Sequence, residues 1–192
     1  IIVTFEVLFS DFIIFIDIDS TRNNIINFDL INDISKVCFS PLTVGGGIKT
    51  INDIRQLLAN GADKVCINTS AYLNQKLIHE AVKLFGSQCI VISIDVKKIN
   101  DKYICFRNSG SIQTEYDLIS WLKIVNTFNV GEILITSIDK DGTMSGYDIN
   151  LIKIVENNVK IPILASGGCS SYDNMLEAFT DTDVSALCMS SI

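Results

Sequence analysis

The segment Leu42-Thr43-Val44-Gly45-Gly46-Gly47 decides the fold, because it returns in altered form as Leu164-Ala165-Ser166-Gly167-Gly168. Each copy is a short apolar run that ends in glycine. Outward from the first copy, Phe12-Ile13-Ile14-Phe15-Ile16-Asp17 precedes it and Val65-Cys66-Ile67-Asn68-Thr69 follows. Outward from the second, Ile133-Leu134-Ile135-Thr136-Ser137 precedes it and Leu187-Cys188-Met189-Ser190 follows. Residues 12–69 and 133–190 are therefore two versions of one three-strand unit. Glycines after the second strand and small polar residues after the third present backbone N–H groups, which suit phosphate. Two such ends in one chain point to a ligand with a phosphate at each extremity.

Apolar, β-rich runs recur at 12–17, 41–45, 64–68, 90–95, 132–137, 162–165 and 185–189. Their continuous hydrophobicity is that of parallel strands covered on both faces. Amphipathic stretches lie between them. Thr50 can cap a helix with Ile51, Ile54, Leu57 and Leu58 on one side and Gly61 as its stop. Leu77, Ile78, Ala81, Val82 and Phe85, closed by Gly86, form a second helical face. Leu118, Trp121, Leu122, Val125 and Phe128 form a third. These stripes read as sheet-facing core rather than cofactor contacts. The βαβα alternation predicts an α/β fold with a parallel sheet and right-handed crossovers. An open doubly wound sheet and most of a (β/α)8 barrel both fit, and the two-fold repeat favours the barrel. Residues 1–192 read as one barrel domain, short by about one βα unit at the start and a helix at the end of the roughly 250 residues usual for that fold. Residues 96–107 break the rhythm and read as a small hairpin turning at Asn100-Asp101.

The net charge of −7 and pI near 4.6 argue against nucleic acid or an anionic membrane as partner. Asp11, Asp17 and Asp19 interrupt the longest apolar stretch, so no run reaches a membrane span. The six cysteines show no metal-type spacing and read as buried free thiols of a cytoplasmic protein. His79 is the only histidine and falls on a helical surface position, which leaves little material for a zinc site or a Ser-His-Asp triad. No metal or cofactor is expected.

In a barrel the working face lies at the C-terminal ends of the strands. Asp95 is driven out of the apolar run Val91-Ile92-Ser93-Ile94. A carboxylate in apolar surroundings gains a raised pKa and can serve as acid or base. A salt bridge to Lys97 or Lys98 is the structural alternative. Asp141 lies in the polar transition from Thr136 to Thr143. It can bind a hydroxyl or assist proton transfer, although Asp141-Gly142 is also ordinary turn chemistry. Gly47 and the Gly167-Gly168 pair can be plain turns. Their equivalent placement, with Asn68-Thr69 and Ser190 nearby, favours phosphate.

The strings TVGGGI (43–48), GADKVCINTSA (61–71), FGSQCIVISIDVK (85–97), GEILITSIDKDGTMSGYD (131–148) and PILASGG (162–168) resemble the cyclase subunits of imidazole glycerol phosphate synthase, of histidine biosynthesis. The resemblance implies a (β/α)8 barrel. It implies an ammonia-dependent lyase that takes ammonia from a glutaminase subunit. The substrate would be a ribulosyl aminoimidazole carboxamide nucleotide carrying two phosphates. Gly47, Asn68 and Thr69 would hold one phosphate, and Gly142, Gly168 and Ser190 the other, with Gly167 beside them. Asp95 matches one of two catalytic aspartates. Asp141 and Thr136 match supporting positions, and Ser109 with Gly110 matches a substrate loop. Lys64 and Glu132 match an ammonia gate at the base of the barrel, and Asp63 lies near the rim that faces the partner. Phe12 stands where that gate has a glutamate. The other catalytic aspartate belongs to a first strand that these 192 residues do not include.

Two alternatives remain open from sequence. One is a barrel that binds and activates a glutaminase without closing the imidazole ring. The other is a phosphoribosyl isomerase of the sister family, also a two-fold repeated barrel. A sheet with two unpaired edges is expected to template aggregation.

Overall fold

A computed structural model describes residues 11–23 and 25–189. Seven parallel strands run in the order β1 (Ile13–Ile16), β2 (Leu42–Gly45), β3 (Lys64–Ile67), β4 (Ile90–Ile99), β7 (Glu132–Ser137), β8 (Ile163–Ser166) and β9 (Ala186–Leu187). The helices between them are α1 (Ile18–Asn23), α2 (Phe28–Val37), α3 (Ile51–Ala59), α4 (Thr69–Leu73), α5 (Gln75–Phe85), α6 (Leu118–Val125), α7 (Ile149–Glu156) and α8 (Tyr172–Asp181). Each of these strands pairs in parallel with the next one in the order, across a helix. This curled α/β sheet is that of a (β/α)8 barrel.

The strands are apolar throughout because both faces are covered. On β4, Ile90, Ile92 and Ile94 turn outward into the helix layer, where Ile54, Leu57, Ile78, Trp121 and Leu122 are fully buried. Val91 turns inward and meets Cys66, Leu134 and Leu164. Phe12 and Ile14 at one edge and Ala186 and Cys188 at the other pack on this same inner cluster. Curling the sheet thus brings its two edges together over one apolar plug. Among the described residues no ladder joins β1 to β9.

Local signals set the helices. Thr50 caps α3 through its side chain, and Asp53 returns the bond in a capping box. Gly61 follows α3 at φ +102°, and Gly86 caps α5 at φ +88°. His79 is exposed on α5, edge-on to Phe128 at 5.2 Å between ring centroids. All six cysteines are free.

The hairpin over residues 96–107 forms with its turn at Asn100-Asp101, and three details correct or extend the sequence reading. The last strand spans Ala186–Leu187 rather than residues 185–189. The hairpin begins within β4, which runs on past Asp95 to Ile99 and turns at Asn100 (φ 47°) and Asp101 (φ 61°) into β5 (Lys102–Arg107). A further strand, β6 (Ile112–Asp117), pairs antiparallel with β5. Its exposed Gln113 and Glu115 carry little hydrophobic signal, so it is invisible as an apolar run. No helix among the described residues is long and apolar enough to cross a membrane.

Candidate functional site

The two glycine rims stand at the C-terminal ends of β2 and β8, four strand spacings apart, roughly 19 Å along the sheet. The backbone shapes them alike. A Cβ on Gly46 (φ +110°) would lie 2.1 Å from the Asp17 carbonyl, and one on Gly167 (φ +101°) 2.8 Å from the Ser137 carbonyl. A Cβ on Gly47 would lie 2.8 Å from the Ser20 carbonyl, and one on Gly168 2.2 Å from that of Gly146. At each rim the chain leaving the neighbouring strand passes over glycines that have no room for a side chain.

Asp95 sits on β4, two strands from β2 and two from β8. Period-two alternation places it on the same inward face as Val91 and Ser93. The Ser93 hydroxyl donates to Asp95 Oδ1 at 3.2 Å. Burial lifts the carboxyl to about 6; the Ser93 bond opposes that shift, and the nearby negative charge of Asp141 adds to it. The salt-bridge alternative is not realised. Lys98 Nζ lies 3.7 Å from Asp101, and Asp95 takes part in none of the ion pairs among the described residues. Thr136 on β7 is its register partner and half-buried. Asp141 and Gly142 are exposed in the loop after β7, with open space around Gly142 (φ +71°).

At the first rim the side chains are already engaged. The Asn68 amide donates to the carbonyls of Ser93 (3.2 Å) and Phe106 (3.4 Å). The Thr69 hydroxyl accepts the Asn108 N–H at 3.0 Å. Asn68 ties the rim to β4 and β5, and Thr69 ties it to the turn between β5 and β6, where Ser109 is exposed at φ +54°. Ser190, the remaining candidate at the second rim, lies outside the described residues.

At the opposite end of the strands, Lys64 of β3 pairs with Glu132 of β7. Both line a cavity of about 240 Å³ together with Asp11, Phe12, Thr43 and Ala186. Asp63 also acts within the sheet, because its carboxylate accepts the Leu42 N–H at 2.8 Å and so fixes the start of β2.

Sequence reading missed Ser93, although its spacing of two from Asp95 on a strand was the available signal. It also missed Tyr103 and Asp148. The Tyr103 hydroxyl lies 2.9 Å from each Asp148 carboxylate oxygen. Asp148 Oδ1 also accepts the Leu151 N–H at 3.0 Å as the cap of α7. Burial first, and this carboxylate second, raise the Tyr103 phenol well above its usual range and keep it a donor. Nothing local links residues 45 positions apart. Among the described residues no group of three or more His, Cys, Asp or Glu side chains is arranged for a metal.

Comparison with known proteins shows the family. The chain is 45% identical over 194 residues to imidazole glycerol phosphate synthase subunit HisF of Hydrogenobaculum sp., spanning 99% of this chain and 76% of that protein. It is 47% identical to the HisF subunit of Sulfurisphaera tokodaii, over 91% of this chain and 70% of the relative. The subunit of Bacillus cereus strain G9842 is 46% identical over 95% of this chain and 73% of its own length. Residues 2–192 match the family described as histidine biosynthesis protein. A two-fold repeated barrel with paired glycine rims, matched over nearly its whole length, belongs to the histidine biosynthesis family.

Proposed function

We propose that the chain is the cyclase subunit of an imidazole glycerol phosphate synthase, an ammonia-dependent lyase of the cytoplasm. A glutaminase subunit supplies ammonia. The substrate is a ribulosyl aminoimidazole carboxamide nucleotide with a phosphate at each end, and the products are imidazole glycerol phosphate and aminoimidazole carboxamide ribotide. One rim, with Gly47, Asn68 and Thr69, holds one phosphate. The other, with Gly142, Gly167, Gly168 and Ser190, holds the second. The reacting middle of the substrate then lies over Asp95.

The observation that carries this reading is the placement of Asp95 midway between two rims of matching backbone shape. A carboxyl near 6 is poised to pass protons at neutral pH, where roughly a tenth of it still holds its proton. Thr136 and Asp141 assist at the mouth, and Ser109 contacts the substrate from its turn. Lys64 and Glu132 close the base through which ammonia enters, and Asp63 stands at the surface that meets the glutaminase.

The test is turnover of the bisphosphorylated nucleotide with an ammonium salt as nitrogen source. Asp95→Asn is expected to lower the rate by at least about 100-fold while binding survives. Undiminished turnover in that variant would remove Asp95 from the mechanism. Release of glutaminase activation alone, with no imidazole product from wild type, would favour a scaffold.

A further inference from the structure

We propose that Tyr103 is a positioning residue for the second anion rim, acting through Asp148. The proposal rests on the two-rim reading and adds a residue to it. Asp148 is the root of the loop that closes this rim. Two residues before it, Gly146 donates its N–H to the Gly168 carbonyl at 2.8 Å. The Gly146 carbonyl in turn covers Gly168 so closely that a Cβ there would approach to 2.2 Å. Tyr147, between Gly146 and Asp148, is fixed by its own hydroxyl, which donates to the Cys188 carbonyl at 3.0 Å, so Asp148 is one of two anchors that set how Gly146 meets Gly168.

Asp148 would cap α7 without Tyr103, since it keeps the Leu151 N–H at 3.0 Å and the Ser137 hydroxyl at 3.5 Å. What Tyr103 adds is a charge-assisted bond from outside the loop, from a strand of the hairpin that grows out of β4. The same hairpin grips the loop at two more points. Ile138 donates to the Val96 carbonyl at 2.9 Å, and the Lys98 N–H donates to Asp139 Oδ2 at 2.7 Å. Those anchors hold the near end of the loop, whereas Tyr103 reaches its far end. At the first rim the hairpin uses the backbone of Phe106 and Asn108 on Asn68 and Thr69. Losing the Tyr103 hydroxyl should therefore act on one rim and spare the other, which a general loss of stability cannot do.

The experiment is a titration of the full chain with inorganic phosphate, followed by amide NMR at Gly46 and Gly47 and at Gly167 and Gly168. In wild type both pairs should respond. In Tyr103→Phe, phosphate affinity at Gly167–Gly168 should fall about fivefold with Gly46–Gly47 unchanged, a loss of the size expected for one hydrogen bond. Equal affinities in variant and wild type, or an equal loss at both rims, would overturn the role of Tyr103. No response at either rim in wild type would overturn the two-rim reading and this proposal with it. Should Tyr103→Phe fail to fold, Asp148→Glu displaces the same carboxylate and must give the same one-sided loss; a two-sided loss or none would refute the assignment.

Discussion

The rim after β2 and the rim after β8 share a backbone and differ in charge. Lys49 and Thr50 donate their N–H groups to the Asp53 carboxylate at 3.0 and 2.8 Å, and Asp53 takes the Thr50 cap in return. In the second copy Ser170 donates to the neutral Asn174 amide oxygen at 3.1 Å, and Asn174 takes the Ser171 cap. At the strand starts, Asp63 accepts the Leu42 N–H at 2.8 Å, while the Ser185 hydroxyl accepts the Ile163 N–H at 3.2 Å. The same hydrogen-bond positions are filled by carboxylates in the first half and by neutral groups in the second. Geometry is the repeated element, and charge is the element free to diverge. At this cap position a fixed anion would meet the Asp53 carboxylate at the first rim and the neutral Asn174 amide at the second.

The glycines give the hardest test of geometric equivalence. Gly46→Ala and Gly168→Ala each combine a left-handed backbone with a backbone clash, and each should lose about 4 kcal/mol of stability in urea titration. Gly142→Ala, with positive φ but open space, should lose only about 1 kcal/mol. If Gly46 and Gly168 tolerate alanine as Gly142 does, the two rims are ordinary turns.

Asp95, between the halves, should give a pH signature. Its folded pKa of about 6 exceeds the ordinary 3.8. Between these values the folded chain holds a proton that the unfolded chain has lost. Stability should therefore fall by about 3 kcal/mol as pH rises from about 4 to above about 6. Asp95→Asn should flatten that slope in denaturation curves taken across the window. An unchanged slope would mean that burial does not burden this carboxylate.

A smaller contrast lies at the strand starts. Asp63→Ala should lose about 2 kcal/mol and Ser185→Ala about 1, because a charged acceptor makes the stronger bond. Equal losses in thermal unfolding would make the carboxylate at Asp63 incidental to the fold. The smallest effect concerns the caps. Asp53→Asn should tighten phosphate at the first rim about twofold, and Asn174→Asp should weaken it at the second by a similar factor. Opposite shifts in a phosphate titration would sharpen the charge argument, and no shift would confine the difference to helix capping.

Much of this was legible in the chain. The duplicated runs gave the strand order, because apolar strands covered on both faces need no context to be seen. Asp95 stood out as a charge at the end of such a run. Asn100-Asp101 announced its turn, since those residues tolerate positive φ. What escaped was polar or distant: β6, whose outward Gln113 and Glu115 hide its edge, and the bond from Tyr103 to Asp148. The family resemblance turns Asp63 toward a partner, and its bond to the Leu42 N–H adds a role within the sheet.

The sequence alone determined a repeated parallel sheet, glycines at matching points of its two halves, and a carboxylate emerging from an apolar run. Periodicity and steric exclusion act over a few residues, so a linear reading captures them. Only the tertiary structure decided that Asp95 lies midway between the rims, that Lys64 meets Glu132 across an intervening strand, and that one hairpin holds both rims. Those relations depend on how the sheet curls over its inner apolar cluster, and curvature is a property of packing that no single segment encodes.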